Sequence, residues 1–157
     1  MLRQQGPSHI VITSSIMGFA GGPTSVYGTS KHAVSRIAEG LHHDLIAIGA
    51  PIGVTLLCPG AIATQLMLSE RNRPAHLAGT SDGVDGLSER TAAHQYFQTD
   101  GSAPSIVAAA AVDAIERNRF FAFPASDATP HVEARLADIR EDRAPRLLPL
   151  TMTSGEP

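Results

Sequence analysis

An α/β fold, with a parallel sheet of about three strands flanked by helices, is what the 157-residue sequence predicts. Three observations predict it. Two short runs, HIVIT at 9–13 and IGVTLLC at 52–58, are almost uniformly apolar, as strands buried on both faces are. The segment between them has apolar residues at helical spacing, and a helical crossover joins parallel neighbours. A helix-like run at 103–118 followed by RFFAFP at 119–124 continues the alternation.

The elements follow in order. HIVIT is bounded by GPS before and SS after, which sets a short strand. IMGFAGGPT, 16–24, is a loop, because glycine and proline punctuate it. Ser25 is placed to cap a helix whose apolar stripe is Val34, Ile37, Ala38, Leu41, Leu45 and Ile48. Gly49 fits the stop just past its end. The strand at 52–58 is ended by Pro59 and Gly60, and the crossover should be right-handed. TQLMLSERN, 64–72, reads as a short helix, and AGTSDGVDGLSE, 78–89, as a glycine-rich mobile stretch. APSIVAAAAVDAIERN, 103–118, reads as a helix with Pro104 in its first turn, and PHVEARLADIRED, 130–142, as a last helix. Residues 1–143 therefore read as one domain, and the proline-broken 144–157 as a flexible tail.

Composition narrows the function classes. A net charge of −3 with no basic run gives nucleic-acid binding no electrostatic support. The single cysteine, Cys58, can form no internal disulfide, which fits a reducing compartment. The first fifteen residues lack the apolar core of a signal peptide, and SIVAAAAV is too short to span a bilayer. A cytoplasmic protein with no membrane partner is expected.

The stretch SVYGTSKHAV, 25–34, places Tyr27 four residues before Lys31 near the start of the predicted helix. Residues four apart share a helix face. An ammonium beside a phenol favours the phenolate, and the positive end of a helix acts in the same sense. Such a phenol can exchange a proton with a substrate hydroxyl or carbonyl. TSS, 13–15, closes the first strand, and strand ends are where α/β sheets place their sites. A serine hydroxyl there, from Ser15 or Ser14, can donate to an oxygen that is gaining charge. PGAIAT, 59–64, follows the adjacent strand end; Gly60 lets backbone approach a ligand, and Thr64 offers a hydroxyl.

IVITSSIMG, YGTSKHAV and LLCPGAIAT, in that order and spacing, resemble the short-chain dehydrogenase/reductase family from about residue 8 to 64, and more loosely over 103–140. The resemblance implies a partial Rossmann-like sheet and an oxidoreductase that interconverts an alcohol and a carbonyl by hydride transfer. It implies Tyr27 as acid/base, Lys31 binding the nicotinamide ribose hydroxyls and favouring the phenolate, and Ser15 orienting the carbonyl. Ser15 precedes Gly18 by the family's usual interval, yet is one residue closer to Tyr27 than the commonest spacing, so Ser14 stays open. Pro59, Gly60, Ile62 and Thr64 would line the nicotinamide carboxamide, and the loop after Thr64 would cover a small-molecule alcohol or carbonyl substrate. The cofactor implied is NAD or NADP, with NADP slightly favoured. A homo-oligomer through the Tyr27 helix is also implied.

The family's phosphate-binding half has no counterpart here. No G-x-G-x-x-G follows a strand, and GFAGG, 18–22, reads better as the loop into the helix. The expectation is therefore a C-terminal catalytic half, truncated or read from a misplaced Met1, that binds cofactor poorly and turns over little or nothing alone. The alternative is a non-catalytic fragment or interaction module with inherited motifs. The seven histidines show no metal-ligand spacing, so no metal site is expected. Cys58 reads as an inert core thiol. Met17, Leu66 and Met67 flank the expected site as pocket lining or as loop anchors.

Overall fold

The structure is a computed structural model, and it describes residues 6–21, 25–77 and 84–149. Three strands form one parallel sheet: β1 (Ser8–Thr13), β2 (Ile52–Leu57) and β3 (Phe121–Ala122), in spatial order β1-β2-β3. The register runs from Ser8 opposite Ile52 to Thr13 opposite Leu57, with Leu57 opposite Ala122 on the other side. The helices are α1 (Val26–Ala47), α2 (Val84–Thr99), α3 (Pro104–Glu116) and α4 (Thr129–Arg140).

Alternation along the strands divides the core into two layers. Leu56 and Cys58 face Ala38 and Val34 of α1, with Ile12, Phe19, Phe120 and Phe123 packed around them. Leu57 and Ala122 face the opposite way, onto Ala114, Val107 and Ala111 of α3. Small residues on both helices let them approach the sheet closely. The core is aliphatic with one aromatic wall, where Phe19 sits edge-on to Phe121 and Phe123 at 6.0 and 5.3 Å.

Local chemistry explains the helix ends. Ser25 Oγ accepts from Gly28 N (2.9 Å), the N-cap its position predicts. Gly49 adopts φ 64°, the left-handed turn that stops α1, and Ala50 N returns to Leu45 O (3.0 Å). β3 is shorter than RFFAFP, but its neighbours extend the pairing: Leu56 N donates to Phe120 O, and Gly60 N to Pro124 O.

Two expectations are corrected. Residues 84–89, read as part of a mobile stretch, open α2; glycines at 83 and 86 hid a helix whose apolar side is carried later, by Ala93, Tyr96 and Phe97. The remainder of that stretch, 78–83, lies outside the described residues, as does the tail beyond Pro149. Residues 144–149 are not loose at Arg146. Its backbone N and Nε donate to the buried Asp138 carboxylate at 3.0 and 2.7 Å, and Arg143 adds a longer pair at 3.4 Å. These partners hold the Asp138 carboxyl below its ordinary value, the Arg146 backbone N–H first among them.

Among the described residues, β1 pairs with β2 on one side and with no strand on the other. Ser8 N and Ser14 N reach Pro51 O and Leu57 O on the β2 side. By alternation, His9 and Val11 turn their backbone N–H and C=O the other way.

Candidate active site

The carboxyl ends of β1 and β2 lie side by side because the strands are parallel and in register. The chain leaving β1 is held there by three contacts. Ser14 N donates to Leu57 O (2.8 Å), Ile16 N donates to Pro59 O (3.0 Å), and Phe19 packs into the core. The loops after the two strands therefore touch, and the residues read from TSS and PGAIAT share one edge of the sheet.

Ser14 and Ser15 part company here. Ser14 is buried and faces α1: its Oγ lies 3.1 Å from both the Lys31 carbonyl and Ser35 Oγ, and Ser35 Oγ is 3.0 Å from the same carbonyl. Gly18 fits beneath this triangle, and a Cβ there would lie 2.5 Å from Ser35 Oγ and 2.8 Å from Ser14 Oγ. Ser15 is also buried, but its Oγ accepts from Met17 N (3.2 Å) as the cap of the 3-10 turn Ile16–Gly18. An oxygen that accepts keeps its own proton to donate.

Tyr27 stands in the first turn of α1 and is half exposed. Lys31 follows one turn later with Nζ 5.6 Å from the centroid of the Tyr27 ring. The same Nζ donates to the Thr13 carbonyl (3.3 Å), the last residue of β1. Lys31 thus ties the tyrosine to the strand that leads into Ser14 and Ser15. That backbone acceptor was not foreseen, since no side-chain pattern marks it. Met17 reaches the same first turn beside Gly28, whereas Leu66 is exposed.

Cys58 lies under this group, fully buried. Burial pushes its thiol up to about 12, against smaller opposing contributions from the Ser15 amide, the Lys31 charge and the Ser14 hydroxyl. The thiol stays protonated and unreactive.

The 59–64 segment is pinned by the chain's own packing. A Cβ at Gly60 would collide with the Ala125 carbonyl, so the glycine is required by the chain's own packing against the loop after β3. Ser126 Oγ closes the same contact by donating to Cys58 O (2.9 Å). Ile62 pairs with Ser102, Ala63 N donates to Ser102 O (2.9 Å), and Gln98 of α2 donates to Thr64 O (2.9 Å). Pro59, Gly60, Ile62 and Thr64 are half-buried in this pinned segment. Ser35, Ser126 and Gly101 belong to the supporting framework and carry no sequence signal of it.

A cleft of about 670 Å³ lies elsewhere, at the amino ends of β1 and β2, and Ser15, Tyr27 and Lys31 do not line it. Among the described residues, no cluster of His, Cys, Asp and Glu is arranged to hold a metal, and no helix is long and apolar enough to cross a membrane.

Comparison with known proteins shows what the chain is similar to. Residues 1–75 match the family model for short chain dehydrogenase. The chain is 28% identical over 149 residues to a CLA biosynthesis dehydrogenase/reductase of Lactiplantibacillus plantarum, covering 92% of this chain and 52% of that protein. It is 36% identical over 80 residues to a 1-deoxy-11-beta-hydroxypentalenate dehydrogenase of Streptomyces avermitilis, covering 48% of this chain and 29% of that protein. Its fold superposes on a short chain dehydrogenase/reductase from Burkholderia phymatum with a TM-score of 0.83 at 31% identity, covering 97% of this chain and 54% of that one. These findings support the short-chain dehydrogenase family. The chain spans about half the length of the first two full-length matches, 52% and 54%.

Proposed function

We propose that this chain carries the proton-transfer and substrate-orienting residues of an NAD- or NADP-dependent oxidoreductase that interconverts an alcohol and a carbonyl. One observation carries the reading: Lys31 Nζ sits between the Tyr27 ring and the Thr13 carbonyl, two residues before Ser15. The residues fit a nicotinamide nucleotide. An ammonium has three hydrogens, and Thr13 takes one, leaving two for the hydroxyls of a ribose. The solved Burkholderia phymatum relative holds NAD.

In this reading the bound cofactor supplies or accepts the hydride. Tyr27 gives its hydroxyl proton to the oxygen of a carbonyl being reduced, and takes it back from an alcohol being oxidised. Lys31 stabilises the phenolate left behind. Ser15 donates its unused proton to the same substrate oxygen, while Ser14, engaged with α1, sets the position of the loop. The backbone of Pro59, Gly60 and Ile62 would hold the nicotinamide carboxamide, with Thr64 in support. A homo-oligomer through α1 belongs to the same proposal, because the helix leaves Val26, Ile37 and Ile46 exposed. The site acts from a cytoplasmic protein on a small molecule.

No glycine-rich turn for a pyrophosphate is present in the sequence, so these 157 residues alone should bind a whole dinucleotide weakly and turn over slowly. The test is a titration with reduced nicotinamide mononucleotide, which lacks the adenylate half. Saturable amide shifts at Tyr27, Lys31 and Thr64, lost in Lys31→Ala, are expected. Shifts that are absent, or unchanged in Lys31→Ala, refute the assignment. A second reading, a non-catalytic interaction module, is favoured by the side of β1 that no strand covers among the described residues. It predicts self-association on size exclusion with no nucleotide response.

A further inference from the structure

The cleft at the amino ends of β1 and β2 stands at the far end of the sheet from Tyr27. Its walls include Pro7, Ile46, Ile52 and Ile115, and among the described residues no Asp, Glu, Lys or Arg lines it. Its size is that of a small-molecule site.

Its polar lining is Ser8, His9, His42 and Asn118, and a chain of hydrogen bonds orients one of them, His9. The buried Thr55 hydroxyl has a single proton and donates it to Arg119 O (2.7 Å). It therefore accepts from His9 Nε2, also 2.7 Å away. That places the imidazole hydrogen on Nε2 and leaves Nδ1 of the neutral ring as an acceptor. Burial holds His9 below its ordinary value, which favours the neutral form. Asn118 takes the left-handed φ of 50°. A Cβ on Gly53 would collide with both Asn118 Oδ1 and His9 Nδ1, so these two acceptors lie close to one another, packed against the Gly53 backbone in the cleft wall. Ser8 also belongs to the wall, and its Oγ is buried without a hydrogen-bond partner among the described residues.

We propose that this cleft binds a neutral, mainly apolar small molecule through one hydrogen-bond donor, an N–H or O–H group, received by His9 Nδ1 and Asn118 Oδ1. Among the described residues the walls carry two imidazoles and no carboxylate, ammonium or guanidinium, which favours a neutral ligand, because an ion would lose its hydration without a fixed counter-charge. Two neighbouring acceptors in the wall favour a donor. The site is independent of the dehydrogenase reading.

The probes are indole and 1-methylindole, nearly alike in shape, with only the first carrying an N–H. Amide and methyl NMR of the whole chain should show saturable shifts at Gly53, Asn118 and Ile46 with indole. 1-Methylindole should bind about fivefold more weakly, one hydrogen bond's worth. Asn118→Gly keeps the left-handed backbone and removes one acceptor. It should weaken indole about fivefold and leave 1-methylindole unchanged. Ile46→Trp, at a position 63% exposed, should fill the cleft and block both probes without lowering the melting temperature. The proposal is overturned by no saturable response to indole up to its solubility limit, by equal affinity for the two probes, or by binding that survives Ile46→Trp.

Discussion

Replacing Gly18 by Ala tests whether the site's framework is as tight as the structure places it. The new Cβ would lie 2.5 Å from Ser35 Oγ, 2.8 Å from Ser14 Oγ and 3.0 Å from the Lys31 carbonyl. Relaxed contacts need about 3.5 Å or more. Both serines have short side chains held by bonds of 3.0 to 3.1 Å, so neither can swing away without giving one up. Overpacking of this kind costs about 1–3 kcal/mol, and one lost net hydrogen bond adds about 1 kcal/mol. The sum, about 2–4 kcal/mol, corresponds to a fall of about 4–16 °C in melting temperature for a domain of this size. Thermal and urea denaturation of Gly18→Ala read it directly. Adding Ser35→Ala removes the nearest oxygen and should recover about 1 kcal/mol or more, a coupling that only neighbours show. A Gly18→Ala protein within about 0.5 kcal/mol of the parent would refute the packing argument. So would a double variant no more stable than the single one.

Other outcomes follow from the same geometry. Cys58, buried and pushed up to about 12, should react with a thiol reagent at pH 8 only as fast as the protein opens, and at once in denaturant. Asp138 has a folded-state value below its unfolded one, so its contribution is present above the unfolded value and lost as pH falls through the folded value. Asp138→Asn should therefore lower the urea midpoint at pH 7 more than at pH 3. An equal loss at both would sink the assignment. Ser25→Ala removes the cap of α1 and should cost about 1 kcal/mol by urea titration, while Ser25→Gly costs only a few tenths.

Periodicity showed the strands and the two longest apolar helices because each buries a stripe against the sheet. Leu56 and Leu57 take opposite faces, and HIVIT and IGVTLL carry enough apolar residues to make that visible. α2 escaped notice because it packs on the 3-10 segment Leu66–Asn72 rather than on the sheet, so no strong stripe was needed. The Tyr27–Lys31 pairing was readable because i, i+4 spacing fixes a shared face. The choice between Ser14 and Ser15 was not, since adjacent residues differ only in which neighbour each meets. The sequence marks Gly60 as a point of close backbone approach, but does not announce that the Ala125 carbonyl occupies the place of its missing Cβ. The Asp138–Arg146 clasp crosses a turn at Asp142 with φ 50°, a conformation that proline-rich composition does not announce.

Reduction of a small carbonyl compound, followed at saturating NADH or NADPH, bears most directly on the assignment of Tyr27. A slow rate in the parent chain should fall about a hundredfold or more in Tyr27→Phe, with melting temperature unchanged, because only the proton donor is gone. Equal rates in the two proteins would contradict it.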